Sequence, residues 1–125
     1  MALNKPKYTL WNNAMYALAG LKDLIEHESS FKLQVIAFMS LSIVAWVLPL
    51  DFVLQAILQV ALFIPIMSEI TNSAIERVVD LVTLEYHDLA KRAKDAGAAL
   101  VFISLIATGT IWASVLYYGF IITGE

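Results

Sequence analysis

Three stretches of this chain carry no charged residue: Leu33–Leu50, Phe52–Ser68 and Ala96–Gly124, of 18, 17 and 29 residues. A helix crosses the hydrocarbon core of a bilayer with about 17–25 mostly apolar residues. The runs therefore predict three membrane-spanning helices. Composition agrees: 60% of the 125 residues are hydrophobic and 15% charged, with mean hydropathy +0.75, against about 25% charged in an average soluble domain. Disorder, which needs low hydrophobicity and high net charge, is excluded. A net charge of -3 and a pI near 5.3 leave no basic footprint for nucleic acid. With no cysteine, disulfides, thiolate metal sites and cysteine nucleophiles fall away.

All eight Lys and Arg lie either before the first run (Lys5, Lys7, Lys22, Lys32) or between the second and third (Arg77, Lys91, Arg92, Lys94). Three spans put both regions on one side, so the positive-inside rule places the N-terminus in the cytoplasm. No cleavable leader pattern precedes the first span, and the N-terminal segment is expected to stay in place. Without repeats or low-complexity tracts, residues 1–125 read as one membrane domain. It is all-α, with a surface helix over about 8–28 and spans over about 31–50, 52–76 and 96–121.

The segment Tyr8–His27 has helical periodicity, with Leu10, Trp11, Ala14, Met15, Leu18, Leu21 and Ile25 on one face. It is expected to lie in the inner interface, anchored by Trp11 and Lys22. Ser29 and Ser30 are candidate caps for the next helix. Glu28, at the junction, would share the apolar side if the helix ran on, and an acid there invites a special role. Pro65 removes a backbone donor and is expected to kink its helix near Ala61. Residues 83–90 read as the cytoplasmic turn. Gly97, Ser104, Thr108, Gly109 and Ser114 suit close packing of the third span. Trp46, Trp112, Tyr117 and Tyr118 suit an outer aromatic belt.

Glu69, Asn72, Glu76 and Asp80 are the residues that point to chemistry. Positions 69 and 76, seven apart, return to within about 20° of one another on a helix, and 72 and 80 flank them. From Asp51 at the outer interface, eighteen residues rise roughly 27 Å. Glu69 is thereby placed where the hydrocarbon ends on the cytoplasmic side, at headgroup depth. The plainer alternative pairs Glu76 and Asp80 with Arg77, Lys91 or Arg92 past a helix end. That reading fits Asp80 better than Glu69, since carboxylates within a membrane are costly. Two convergent carboxylates and an amide suit a hard cation such as Mg²⁺. Lys94, beside Asp95, can neutralise the cluster or hold a phosphate. His27 and His87 have no metal-ligand spacing to each other. The chain lacks a P-loop, a dinucleotide fingerprint and a kinase catalytic-loop pattern. The residues leave two classes open: a cation-coupled transport subunit, or a metal-assisted enzyme acting on lipid.

The run from Ser68 to Asp80 (SEITNSAIERVVD), then Glu85-Tyr86-His87 and Ala90 to Gly97 (AKRAKDAG), resembles the signature of prokaryotic diacylglycerol kinases, a family that includes undecaprenol kinases. Gly20-Leu21 and Glu28-Ser29-Ser30-Phe31 also fall at the family's places, and the likeness covers nearly the whole chain.

The resemblance implies a homotrimer in the bacterial inner membrane. It would transfer the γ-phosphoryl group of ATP to a lipid hydroxyl with Mg²⁺. By matching position, Glu69 is implied as general base, with Asn72 supporting the site and Glu28 and Glu76 as metal carboxylates. Lys94 is the implied γ-phosphate contact, with Asp95 beside it, and Tyr16, Glu85, Tyr86 and His87 fall where the nucleotide binds. Ala98 and Trp112 match lipid-contacting positions. The chain departs from the pattern at Thr9, where familiar members have Arg, and at Gln34, where some have Glu; Lys7 is a partial stand-in for the first. Diacylglycerol is the expected substrate, with undecaprenol the alternative suggested by Asp80-Leu81-Val82-Thr83.

Overall fold

A computed structural model of the chain describes residues 8–124; Lys5, Lys7 and Glu125 lie outside them. The described chain is all helix and turn: α1 spans Leu10–His27, α2 Ser29–Val47, α3 Phe52–Val82 and α4 Asp88–Tyr117, followed by a π-helical segment, Tyr118–Ile122. The helices α2, α3 and α4 are each long and apolar enough to cross a membrane. The expectation of three spans is met.

Several boundaries differ from the sequence reading. At 31 residues, α3 measures about 46 Å, well beyond the roughly 30 Å hydrocarbon core. The polar stripe from Glu69 onward thus stays helical, with Glu69, Asn72 and Ser73 buried against neighbouring helices. The turn expected over residues 83–90 closes in Thr83–His87. His87 caps α4, its Nδ1 accepting from the Leu89 amide at 3.1 Å, and the Thr83 hydroxyl accepts from the Glu85 amide. Ser29 and Ser30 do not cap α2. Glu28, extended at φ −125° and ψ 110°, is the flanking residue, and Ser30 is used elsewhere. Thr9 caps α1 by accepting from the Asn12 amide at 3.1 Å.

α3 is the middle element, with α2 and α4 packed on it and α1 folded back against α2. Its buried residues change character along its length. Leu58, Ala61 and Leu62 are apolar; Ser68, Glu69, Asn72 and Ser73 are polar. The apolar end forms the small core, where Leu58 meets Ala45 and Val115 with Leu54, Ile111 and Trp112 around them. Gln55 ties this end together by donating to the Trp46 carbonyl, which α2 leaves open at its C-terminus, and to the Leu48 carbonyl just beyond it. The Trp46 indole donates to Gln59.

Pro65 does not break α3. The carbonyl it leaves without a partner, that of Ala61, accepts from Thr108 Oγ1 of α4 at 3.0 Å. One turn along, the Trp112 indole donates to the Leu58 carbonyl at 3.1 Å. In a bilayer, where water cannot substitute, such cross-helix bonds allow a proline inside a span.

Candidate active site

The polar face of α3 is divided between its neighbours. Glu69, only 6% exposed, belongs to the α2 side. Ser30 Oγ donates to its Oε1 at 3.0 Å and Gln34 Nε2 to its Oε2 at 3.1 Å. The two donors stand one turn apart on α2, so one helix face grips both oxygens. This fixes the plane of the carboxylate and leaves its other lone pairs as acceptors.

Glu28 is brought to the same side by the extended residue that joins α1 to α2. Ser73 Oγ donates to its Oε2, and Arg77 donates to its Oε1 through Nε at 3.2 Å and Nη2 at 3.0 Å. The third arm of the guanidinium, Nη1, reaches Asp23 of α1 at 2.5 Å. That hydrogen bond holds the Asp23 carboxyl below the usual aspartate range; burial opposes it, and the charge of Arg77 and the His27 ring add smaller effects in the lowering direction.

The other residues look toward α4. Asn72 Nδ2 donates to Glu76 Oε1 at 3.4 Å, while Asn72 Oδ1 is buried without a hydrogen-bond partner. It lies against Gly97, where a Cβ would collide with it. Lys94 Nζ donates to Asp80 Oδ1 at 2.6 Å, and Lys91 holds Asp95 at 2.5 Å. The pairing of Asp80 with Arg77, Lys91 or Arg92 expected from the sequence is therefore replaced by Asp80 with Lys94. Arg77 goes to the acids of the α1–α2 hinge.

Five residues expected near a nucleotide, Glu85, Tyr86, His87, Lys94 and Asp95, line one cleft of about 300 Å³ beside the α3–α4 turn, together with Asp80 and Lys91. That volume is at the lower end for small-molecule sites. The Tyr86 hydroxyl donates to Asp88 at 2.8 Å, which raises its pKa. Tyr16 lies apart on the exposed surface of α1 and does not line the cleft. Ala98 is exposed on α4, next to Gly97. The Trp112 indole is committed to the Leu58 carbonyl, about 16 Å along the helix from Glu69.

Among the described residues no three His, Cys, Asp or Glu side chains converge to hold a metal. Mg²⁺ does not require that, since it is commonly held by one or two carboxylates, waters and substrate phosphates. Glu76, with the orphaned Asn72 oxygen beside it, and Glu28 are hard oxygen donors of the right kind. These oxygens suit the ion by kind, and those of Glu28 are engaged by Ser73 and Arg77 in this chain.

Sequence reasoning missed the supports: Ser30 and Gln34 under Glu69, and Ser73, Arg77 and Asp23 around Glu28. A Ser and a Gln spaced i, i+4 at the start of a span are a usable signal, because polar groups there seek partners on a facing helix.

The fold and site define a multi-pass membrane protein whose polar machinery is gathered at one end of its spans. Residues 15–116 match the family described as prokaryotic diacylglycerol kinase. The chain is 36% identical over 115 residues to a diacylglycerol kinase of Haemophilus influenzae, covering 87% of this chain and 92% of that protein. It is 34% identical over 121 residues to that of Escherichia coli, covering 96% and 99%, and 35% identical over 105 residues to that of Pseudomonas aeruginosa, covering 84% and 85%. The chain belongs to the prokaryotic diacylglycerol kinase family. It is accordingly a membrane-bound lipid kinase, an enzyme with ATP as co-substrate.

Proposed function

We propose that the chain phosphorylates the hydroxyl of diacylglycerol to give phosphatidic acid, with Glu69 as general base. One observation carries this reading: the buried carboxylate of Glu69 has both oxygens gripped by α2, at the position where residue counting from Asp51 expects the headgroups. A carboxylate within a membrane is expensive and is kept for function. Glu69 takes the hydroxyl proton as that oxygen attacks the γ-phosphorus; the bond to the β-bridging oxygen breaks and ADP leaves. Phosphoryl transfer depends mainly on positioning and charge neutralisation. Lys94 supplies a cation to the γ-phosphate once it leaves Asp80. Glu28 and Glu76 would hold Mg²⁺, which when bound neutralises charge on the triphosphate. Asn72 steadies Glu76, while Glu85, Tyr86, His87 and Asp95 surround the nucleotide, Tyr16 stands apart from that cleft on α1, and Ala98 and Trp112 face the lipid.

The setting is the bacterial inner membrane with the N-terminus cytoplasmic, and the apolar face of α1 lies in the interface. Leu10, Trp11 and Leu18 are 81%, 74% and 60% exposed, as lipid contact at that surface requires. A homotrimer belongs to the same reading, because one chain leaves Glu28 on its α2 side and Glu76 toward α4, and a neighbouring subunit would complete the site. The names of the relatives favour diacylglycerol over undecaprenol.

Radiolabelled ATP offered with each lipid in detergent micelles tests the substrate: label in phosphatidic acid is expected, and a strong preference for the prenol overturns the choice. Glu69→Gln is expected to abolish turnover nearly completely while nucleotide binding survives. If that variant keeps most of its activity, another group is the base. Ion flux in proteoliposomes without ATP consumption would instead identify a transport subunit.

A further inference from the structure

Arg77 binds two acids at once. Its Nε and Nη2 converge on a single oxygen of Glu28, at 3.2 and 3.0 Å, while Nη1 holds Asp23 at 2.5 Å. Ser73 occupies the other Glu28 oxygen. The carboxylate expected to meet a cation is thus already engaged by one supplied from its own chain. Asp23 is also faced by the His27 ring, with Nδ1 at 3.1 Å from Oδ1.

We propose that Arg77 is a resident counter-cation of Glu28, and that Asp23 takes the guanidinium over when a divalent cation with its nucleotide claims the Glu28 carboxylate. This rests on the metal role given to Glu28 above. Without Arg77, Glu28 and Asp23 would be two like charges facing each other at the α1–α2 hinge, with only the His27 ring beside them. With Arg77 and no Asp23, release of Glu28 would leave the half-exposed guanidinium to water alone, a small cost that still tilts the exchange toward Glu28. Asp23 supplies the alternative partner and makes the handover nearly balanced. Arg77 acts through Glu28 and is a positioning residue; it need not touch substrate.

The handover predicts opposite effects from two partners of one ion pair. Arg77→Ala frees Glu28 and lowers the divalent concentration needed for half-saturation. Asp23→Asn traps Arg77 on Glu28 and raises it. Each shift is about three- to fivefold, the scale of a partly exposed charge pair. The double variant lies on the Arg77→Ala side of wild type, since Asp23 can no longer trap a guanidinium on Glu28 and only its like charge beside Glu28 is lost. The measurement is a titration of the whole protein in detergent with Mn²⁺ and a non-hydrolysable ATP analogue, free Mn²⁺ being read by electron paramagnetic resonance. The Mg²⁺ dependence of turnover is followed in parallel.

If Arg77 and Asp23 are merely a structural clamp, both single variants weaken binding together, and the handover is overturned. No shift in either variant overturns it too. Glu28→Gln separates this from the underlying reading: unchanged Mn²⁺ affinity in that variant removes the metal role itself. Weakened affinity there, with same-direction shifts in the other two, removes the handover alone.

Discussion

Thr108 Oγ1 donates to the carbonyl of Ala61 at 3.0 Å, filling the hydrogen bond that Pro65 cannot make. The proline would otherwise leave an acceptor exposed to hydrocarbon, so a hydroxyl on α4 is what permits it within α3. Thr108→Val keeps the shape and removes the donor. It is expected to destabilise the protein by about 0.5–1.5 kcal/mol, the range for hydrogen bonds between membrane helices. Pro65→Ala restores the Ala61 partner within α3, so Thr108→Val is expected to cost less in that background. Unfolding titrations of the four proteins in mixed detergent micelles measure the coupling. Equal losses in both backgrounds would mean that the threonine acts through packing alone.

Gly97 and Gly109 look equivalent in sequence, as two small residues of one span, but their surroundings differ. A Cβ on Gly97 would run into Asn72 Oδ1 and come to 3.3 Å from Asn72 Cγ, whereas nothing lies within 4 Å of a Cβ on Gly109. Gly97→Ala therefore displaces the amide that donates to Glu76. Turnover is expected to fall at least tenfold, with a weaker response to Mg²⁺. Gly109→Ala is expected to retain activity. Parallel assays of the two variants, with melting checked for each, decide whether the Gly97–Asn72 contact matters to the site.

That pair also marks how far the sequence can be read. Charge-free runs define the three spans because the bilayer imposes one length on any helix that crosses it. The azimuths of Glu69, Asn72, Glu76 and Asp80 follow from helical geometry, so the stripe of acids on α3 is legible in residue spacing alone. Partners across helices are not, because the rotation of α2 and α4 about α3 has no signature in a single sequence. Ser30 thus reads as a cap and is a donor to Glu69. Asp80 has Arg77 as a neighbour in sequence and takes Lys94 in space. Helix ends are blurred for a related reason: α4 starts at Asp88 through the His87 ring cap, a local bond that hydropathy does not register.

The grip on Glu69 makes a separate prediction. Ser30 and Gln34 each serve one oxygen. Ser30→Ala and Gln34→Leu are each expected to lower kcat about ten- to a hundredfold, the cost of losing one hydrogen bond to a charged group at roughly 1.5–3 kcal/mol. The KM for ATP should barely move, because neither side chain lines the cleft at the α3–α4 turn. The double variant should approach the loss seen in Glu69→Gln. A change confined to the KM for ATP would place these residues with the nucleotide instead.

Attachment of α1 to α3 should depend on pH through Asp23. Arg77 holds this carboxyl below its ordinary value, which is about 3.9 in an unfolded chain. For a depressed acid, the stabilising effect is complete above the unfolded pKa and is lost as pH falls through the folded one. The clamp between Asp23 and Arg77 is therefore intact at neutral pH and survives mild acid, releasing only once the pH drops below about 3.9. A spin label on α1 facing α3, followed from pH 7 downward in micelles, should gain mobility only in that acidic window. Asp23→Asn should be mobile throughout and lose the transition. A transition complete in milder acid, well above the ordinary aspartate range, would mean that the attachment does not rest on the Arg77 clamp.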